Sequence, residues 1–227
     1  MISTVSTVST VHTVYGSLMH HRAELLALGD AAHQSPYNAP PRAPILYIKP
    51  ANTFNAFGGA LVVGASEWLA RACVGLIYKP NQPVAGINTA QYAIKNRAFD
   101  DWQFALFCDF TLPHSSFYRP PLRFNARDGS LALPKRWLAA SGLDLNNLLV
   151  EIWINDQLAH RYSSADWITS AQEQLEAVSE FIAWEAGDVL MLGCPPDAPL
   201  ARAGDGVETR LGDQVFTRTV LAAQEAR

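Results

Sequence analysis

His21 and Glu24 stand three residues apart, the helical spacing at which two side chains share a face. A carboxylate placed there holds an imidazole in one tautomer and raises its basicity, which suits proton transfer or activation of water. Any solvated helix start meets the same spacing. Asp109 is a second candidate because it closes an apolar run. Carboxylates at the ends of buried strands build sites, and they also cap turns. Arg119, Arg123 and Arg127 follow at intervals of four, in a stretch whose prolines forbid a continuous helix. On an extended chain that even spacing puts them on one side, where guanidinium groups can bind several carboxylates bidentately. Equally, they can lie scattered over the surface with their stems on apolar neighbours. Cys194, between Gly193 and Pro195, has no histidine near it in sequence and reads as a small buried apolar residue. His33, His114 and His160 stand alone and receive no role. No H-E-x-x-H, phosphate-loop, G-x-S-x-G or dinucleotide glycine pattern occurs.

Composition narrows the classes. The 227 residues carry 17 Lys and Arg against 21 Asp and Glu, a net charge of −4, so no broad basic surface exists to neutralise phosphates and nucleic-acid partners are excluded. No apolar run approaches the ~18 residues of a membrane helix, which excludes a membrane partner. Three cysteines without a C-x-x-C pair fit neither a disulfide framework nor a thiolate zinc site, and a reducing cytoplasm is the expected compartment. Residues 1–12, with Ser-Thr-Val repeated three times, lack the basic start and long apolar run of a secretory signal. They read as a flexible leader to a single domain over 13–227.

The elements that must position these residues are mostly strands, because prolines and glycines interrupt the chain too often for long helices. A first helix is expected from His20 to Gly29, with Gly29 as its stop. Short strands are expected at Ile45 to Lys49, Arg71 to Tyr78 and Phe104 to Phe110. Leu148 to Asn155 alternates at period two. Asn155-Asp156 then supplies a turn, and Leu158 to Tyr162 returns as a hairpin partner. Ser170 with Glu173 forms a capping box for a helix whose apolar face is Leu175, Val178 and Ile182, closed at Gly187. Asp188 to Leu192 and two strands across Gly212 complete a β-rich α+β domain.

Four stretches together resemble the fumarylacetoacetate hydrolase family: Ala39 to Pro50 with Asn52-Thr53, Phe117 to Pro120, Ala126 to Gly129, and Ala186 to Pro195. Within it the pattern is most similar to the amino-terminal half, or separate small subunit, of the decarboxylase/isomerases of 4-hydroxyphenylacetate (homoprotocatechuate) breakdown. The resemblance implies a mixed β-roll with a few short helices, assembled as a homodimer or as a heterodimer with a paralogue, and a 2-oxo di- or tricarboxylic acid substrate. It also implies a magnesium or manganese ion held by Glu-x-Glu on a strand and a later aspartate, with a His-x-x-Glu pair handling the proton. A fixed cation there would stabilise the enolate charge of decarboxylation or isomerisation.

On that pattern His21 and Glu24 become the catalytic pair. Lys49, Asp109, Arg119, Arg123 and Asp128 become substrate-binding residues, with Lys49 and Asp128 at the site floor. The departures fall in the metal site. Ala70 and Ala72 stand where the two glutamates are expected, and recruiting Glu67 would need a three-residue register shift that exchanges strand faces. Asn125 replaces a lysine, and Cys194 a threonine. No metal ligands are therefore assigned, and no cofactor is expected on this chain. A paralogous partner subunit is expected to carry the ion. The alternatives are a non-catalytic scaffold that stabilises a metal-bearing paralogue, and a metal-independent enzyme acting on another 2-oxo acid.

Overall fold

The computed structural model describes residues 10–80, 99–114 and 122–224. Most of the leader, through residue 9, and Arg119 lie outside these. Strands in chain order are β1 (Val14–Leu18), β2 (Ile45–Lys49), β3 (Phe54–Asn55), β4 (Ala60–Val63), β5 (Trp68–Tyr78), β6 (Trp102–Thr111), β7 (Leu131–Ala132) and β8 (Leu138–Ala139). They continue with β9 (Leu149–Ile154), β10 (Gln157–Ser163), β11 (Val189–Met191), β12 (Leu200–Ala201), β13 (Gly206–Leu211) and β14 (Gln214–Ala223). Among the described residues the α-helices are α1 (Arg22–Leu28), α2 (Leu122–Asn125) and α3 (Ala171–Ser179). None is long and apolar enough to cross a membrane.

Among the described residues the strands form two mixed sheets. The larger runs β2-β1-β11-β5-β6-β7-β3, and the smaller runs β10-β9-β13-β14-β4. Parallel pairs (β1 with β11, β3 with β7, β4 with β14) sit among antiparallel ones. The larger sheet must be rolled. Its two ends, β2 and β3, are joined only by Pro50 to Thr53, whereas six strand spacings of ~4.8 Å would hold them nearly 30 Å apart in a flat sheet. Residues 50–53 cannot span that gap at ~3.5 Å each.

Long apolar strands run through the centre of this roll. β5 and β6 pair antiparallel along their whole lengths, from Leu69 with Thr111 to Tyr78 with Trp102. Every residue of β5 after Leu69 is buried. One face, carrying Ala70, Ala72, Val74 and Leu76 with Phe104, Leu106, Cys108 and Phe110, turns toward the smaller sheet, where the ring of Phe104 lies 6.2 Å from that of Phe216 on β14. Ala70 and Ala72 are small because two sheets close over them. The opposite face carries Arg71, Cys73 and Asp109.

Local signals in the sequence hold at most element ends. Asn155 and Asp156 both adopt positive φ, 51° and 61°, the turn that twists with a hairpin, and β9 pairs with β10 as expected. Ser170 and Glu173 form a reciprocal capping box. The expected end of that helix at Gly187 is corrected to Ser179. The chain leaves the helix there because the Trp184 indole donates to Ser179 Oγ at 2.7 Å and packs edge-on against Trp102 and Tyr15. A helix continued to Gly187 would carry Trp184 away from that cluster.

Candidate functional site

The candidate site forms where the roll brings β2 against β6. In sheet order these strands are four spacings apart, about 19 Å if flat. Yet Lys49 Nζ on β2 reaches Asp109 Oδ1 on β6 at 2.6 Å, and the Tyr47 hydroxyl donates to Asp109 Oδ2 at 2.7 Å. Gly16 makes the second contact feasible. It pairs with Tyr47 across β1 and β2, and a Cβ there would sit 2.2 Å from the tyrosine ring, so only glycine lets the ring lie flat over β1. Lys49 and Asp109 are both 1% exposed. The ammonium also donates to the Asn125 carbonyl and to Ser130 Oγ, which satisfies three donors and closes the site floor. Burial and the Asp109 charge push the Tyr47 phenol well above its ordinary pKa, so it remains a hydrogen-bond donor.

The β5–β6 ladder changes which residues face Asp109. Arg71 lies directly opposite it, and Cys73 is next on the same face. Directly opposed residues in an antiparallel pair point to one side. The expectation that Ala70 and Ala72 occupy the two glutamate positions is therefore corrected by one residue: the same-face pair is Arg71 and Cys73. Arg71 is 8% exposed. Burial works against its charge, but Cys194, Glu24, Tyr47 and Asp109 more than compensate and raise its pKa. Cys73, hydrogen-bonded to the Cys194 thiol and buried, is pushed far up and stays a thiol, which is a poor ligand. A pocket opens over this face, lined by Leu18, Tyr47, Arg71, Asp109, Thr111, His114 and Asn125.

These residues do not fit a divalent cation. Magnesium wants near-octahedral oxygen ligands, but both oxygens of Asp109 are committed to Lys49 and Tyr47, and a guanidinium faces it. Among the described residues no three His, Cys, Asp or Glu side chains gather as a metal-binding set.

The His21–Glu24 turn is built locally. His21 is the N-cap of α1, with its Nδ1 accepting from the Ala23 N–H at 3.2 Å. That bond places the proton on Nε2, which is enclosed without a partner. Glu24 Oε2 accepts from the backbone N–H groups of His20 and His21 at 3.0 and 3.2 Å. The pair thus shares a turn, but the carboxylate holds backbone rather than imidazole. Burial raises the Glu24 pKa to about 7, with the backbone donors and Arg71 pulling it down. Burial likewise lowers His21, against the pull of Asp166 and Asp197. Tertiary contacts anchor the turn. His21 bridges to Trp167, and the Ile168 N–H donates to the His20 carbonyl at 2.9 Å. Gly193 lets the chain pass, since a Cβ there would lie 2.7 Å from His20 Cβ. Arg71 is in electrostatic reach of both Glu24 and Asp109, so it links the turn to the pocket.

The remaining expected residues are not brought to this pocket. Arg123 is exposed on α2 with its guanidinium over the Phe124 ring at 5.0 Å. Arg127 stacks over Trp68 at 5.9 Å. The expected one-sided arginine row is therefore absent for these two, because α2 breaks the extended chain. Asp128 is also exposed and accepts from Asn52 Nδ2 at 2.5 Å, which corrects its assignment to the site floor. The sequence reading missed Tyr47, Arg71 and Thr111. Tyr47 lay two residues before Lys49 on one strand, the period-two signal that could have found it.

Comparisons with known proteins identify the family. The family profile described as "Fumarylacetoacetate (FAA) hydrolase C-terminal" matches residues 10–222. The chain is 33% identical over 200 residues to the 4-hydroxyphenylacetate degradation bifunctional isomerase/decarboxylase of Salmonella dublin, covering 86% of this chain and 43% of that protein. It is 32% identical over 196 residues to the homoprotocatechuate catabolism bifunctional isomerase/decarboxylase of Escherichia coli, with the same coverage. It thus spans less than half the length of these relatives. Among solved structures, 5-carboxymethyl-2-hydroxymuconate delta-isomerase from Mycobacterium smegmatis superposes with TM-score 0.71 at 14% identity, covering 96% of this chain and 81% of that one. Maleylpyruvate hydrolase from Sphingobium, solved with manganese(II) and pyruvate, gives 0.65 at 17% identity, covering 94% and 71%. A profile match over nearly the whole chain, on a rolled mixed sheet shared with those structures, shows that the chain belongs to the fumarylacetoacetate hydrolase family.

Proposed function

We propose that the chain is a cytoplasmic subunit of the 5-carboxymethyl-2-oxo-hex-3-ene-1,7-dioate decarboxylase/2-hydroxyhepta-2,4-diene-1,7-dioate isomerase of 4-hydroxyphenylacetate breakdown. It works in a dimer with a metal-bearing paralogue, and its own metal set is lost. The observation that carries this reading is the commitment of Asp109 to Lys49 and Tyr47 opposite Arg71. Identity of 33% to the pathway isomerase/decarboxylase supports the choice of pathway. Magnesium or manganese on the paralogue would stabilise the enolate. On this chain His21, carrying its proton on an unpartnered Nε2, and Glu24, with a pKa near 7, are the groups poised to move protons.

A scaffold without catalysis is the second reading. It is favoured by the capping box, which gives His21 and Glu24 a structural task sufficient to explain them. Reconstitution with the Glu-x-Glu paralogue separates the two. Decarboxylation restored by the pair, abolished by chelation, and reduced at least tenfold by His21→Ala on this chain supports the catalytic subunit. Undiminished turnover with that variant supports the scaffold. Activity of this chain alone with magnesium would overturn both.

A further inference from the structure

Arg71 is buried, and among the described residues its guanidinium makes no hydrogen bond or ion pair. Its Nε is fully enclosed without an acceptor. Thr111 Oγ1 is enclosed without a partner as well, and Thr111 is 3% exposed. Both side chains stand on the face of β5 and β6 that carries Asp109, since Arg71 opposes Asp109 and Thr111 opposes Leu69. Both also line the same pocket, whose free space of about 10 Å³ is the size of one water, so a carboxylate enters only when the side chains over it part. Buried donors left unmade are costly, and here two of them converge.

Asp109 does not quench them, because its oxygens are taken by Lys49 and Tyr47. Lys49 and Arg71 against Asp109 leave one surplus positive charge at the pocket floor. Glu24, the other carboxylate in reach of Arg71, is poised near neutrality with burial favouring its protonated form. The pocket therefore asks for one planar anion that accepts from a guanidinium fork and a hydroxyl.

We infer that Arg71 and Thr111 form a metal-free carboxylate site, in which the guanidinium takes the part a divalent cation would play and the ligand is the carboxylate end of a 2-oxo acid. A carboxylate accepts two parallel N–H bonds from a guanidinium, and the Thr111 hydroxyl can complete the set. The 2-oxo identity of the ligand rests on the proposed function, whereas the anion site rests on Arg71 and Thr111 alone.

The test is calorimetric titration of the full chain, dialysed against EDTA, with pyruvate as probe and pyruvamide as its neutral counterpart. Pyruvate should bind without metal, added magnesium should not tighten it, and pyruvamide should not bind. Arg71→Met should weaken pyruvate at least tenfold, equivalent to about 1.4 kcal/mol, with Arg71→Lys intermediate and Thr111→Val a smaller loss. Should Arg71→Met fail to fold by circular dichroism, Arg71→Lys and Thr111→Val decide the matter. Pyruvate binding that requires magnesium or manganese, that survives these substitutions unchanged, or that is absent from the wild-type chain would overturn the inference. Metal-free pyruvate binding by a chain that never supports decarboxylation with the paralogue would sink the proposed function and leave this site standing. Metal-dependent binding in an active pair would do the reverse.

Discussion

Asp109 and Glu24 are both 1% exposed, yet they are buried by different means. Asp109 meets an ammonium and a phenol delivered by β2, residues 60 and 62 positions away. Glu24 accepts from backbone N–H groups three and four positions away, with the Arg71 charge in reach. At Glu24 the backbone dipoles and Arg71 leave much of the desolvation unmatched. The Glu24 pKa of about 7 is the result. The comparison teaches that the pocket's charge pattern is set by long-range packing, while the titrating group beside it is set by a local helix cap.

Removing the long-range partner should have the largest effect. Lys49→Met leaves Asp109 buried without its cation, and the expected loss is about 3–5 kcal/mol in urea unfolding. A loss below about 1 kcal/mol would mean that the ion pair does not hold the roll closed. The next effect is a pH dependence. Below the ordinary value of 4.5 Glu24 is protonated in both folded and unfolded chains, but between 4.5 and about 7 the folded chain keeps a proton that the unfolded chain has released. Stability therefore falls as pH rises through that window and levels off above it, by roughly 3 kcal/mol at 1.36 kcal/mol per unit. Glu24→Gln should remove this slope while keeping an acceptor for the cap. Melts of both proteins from pH 5 to 8.5 check it, and parallel curves would refute the raised pKa.

The smallest effect should come from the same capping motif on the surface. At α3 the Ser170 hydroxyl accepts from the Glu173 N–H at 3.2 Å while the carboxylate returns to the Ser170 N–H at 2.8 Å. Ser170→Ala should cost about 1 kcal/mol. The Ser170 N–H and hydroxyl both donate to Glu173 and lower its pKa, with little burial to oppose them, so its variant should show no matching slope in the neutral range.

Much of the fold was legible because its signals are local. The hairpin at Asn155-Asp156, the box at Ser170, the stop at Gly29 and the apolar runs of β5 and β6 each follow from propensities that act over a few residues. At the site, legibility ended where register began. A one-residue offset along β5 exchanges its faces, so matching the family pattern put Ala70 and Ala72 in the glutamate positions, where the ladder puts Arg71 and Cys73 on the face of Asp109. Arg123 and Asp128 were misplaced for a related reason: spacing on an extended chain says nothing once a turn of helix intervenes at α2.

By itself the sequence determined the class of strand-rich domain, the helix caps, and the residues from which a site could be drawn, because side-chain chemistry and backbone preference reside in each residue. Only the tertiary structure decided that Lys49 and Tyr47 close on Asp109 and that the Arg71 guanidinium faces it. Those contacts depend on the curl of the larger sheet and the register of β5 against β6, which are settled by packing of the whole roll rather than by any short stretch of chain.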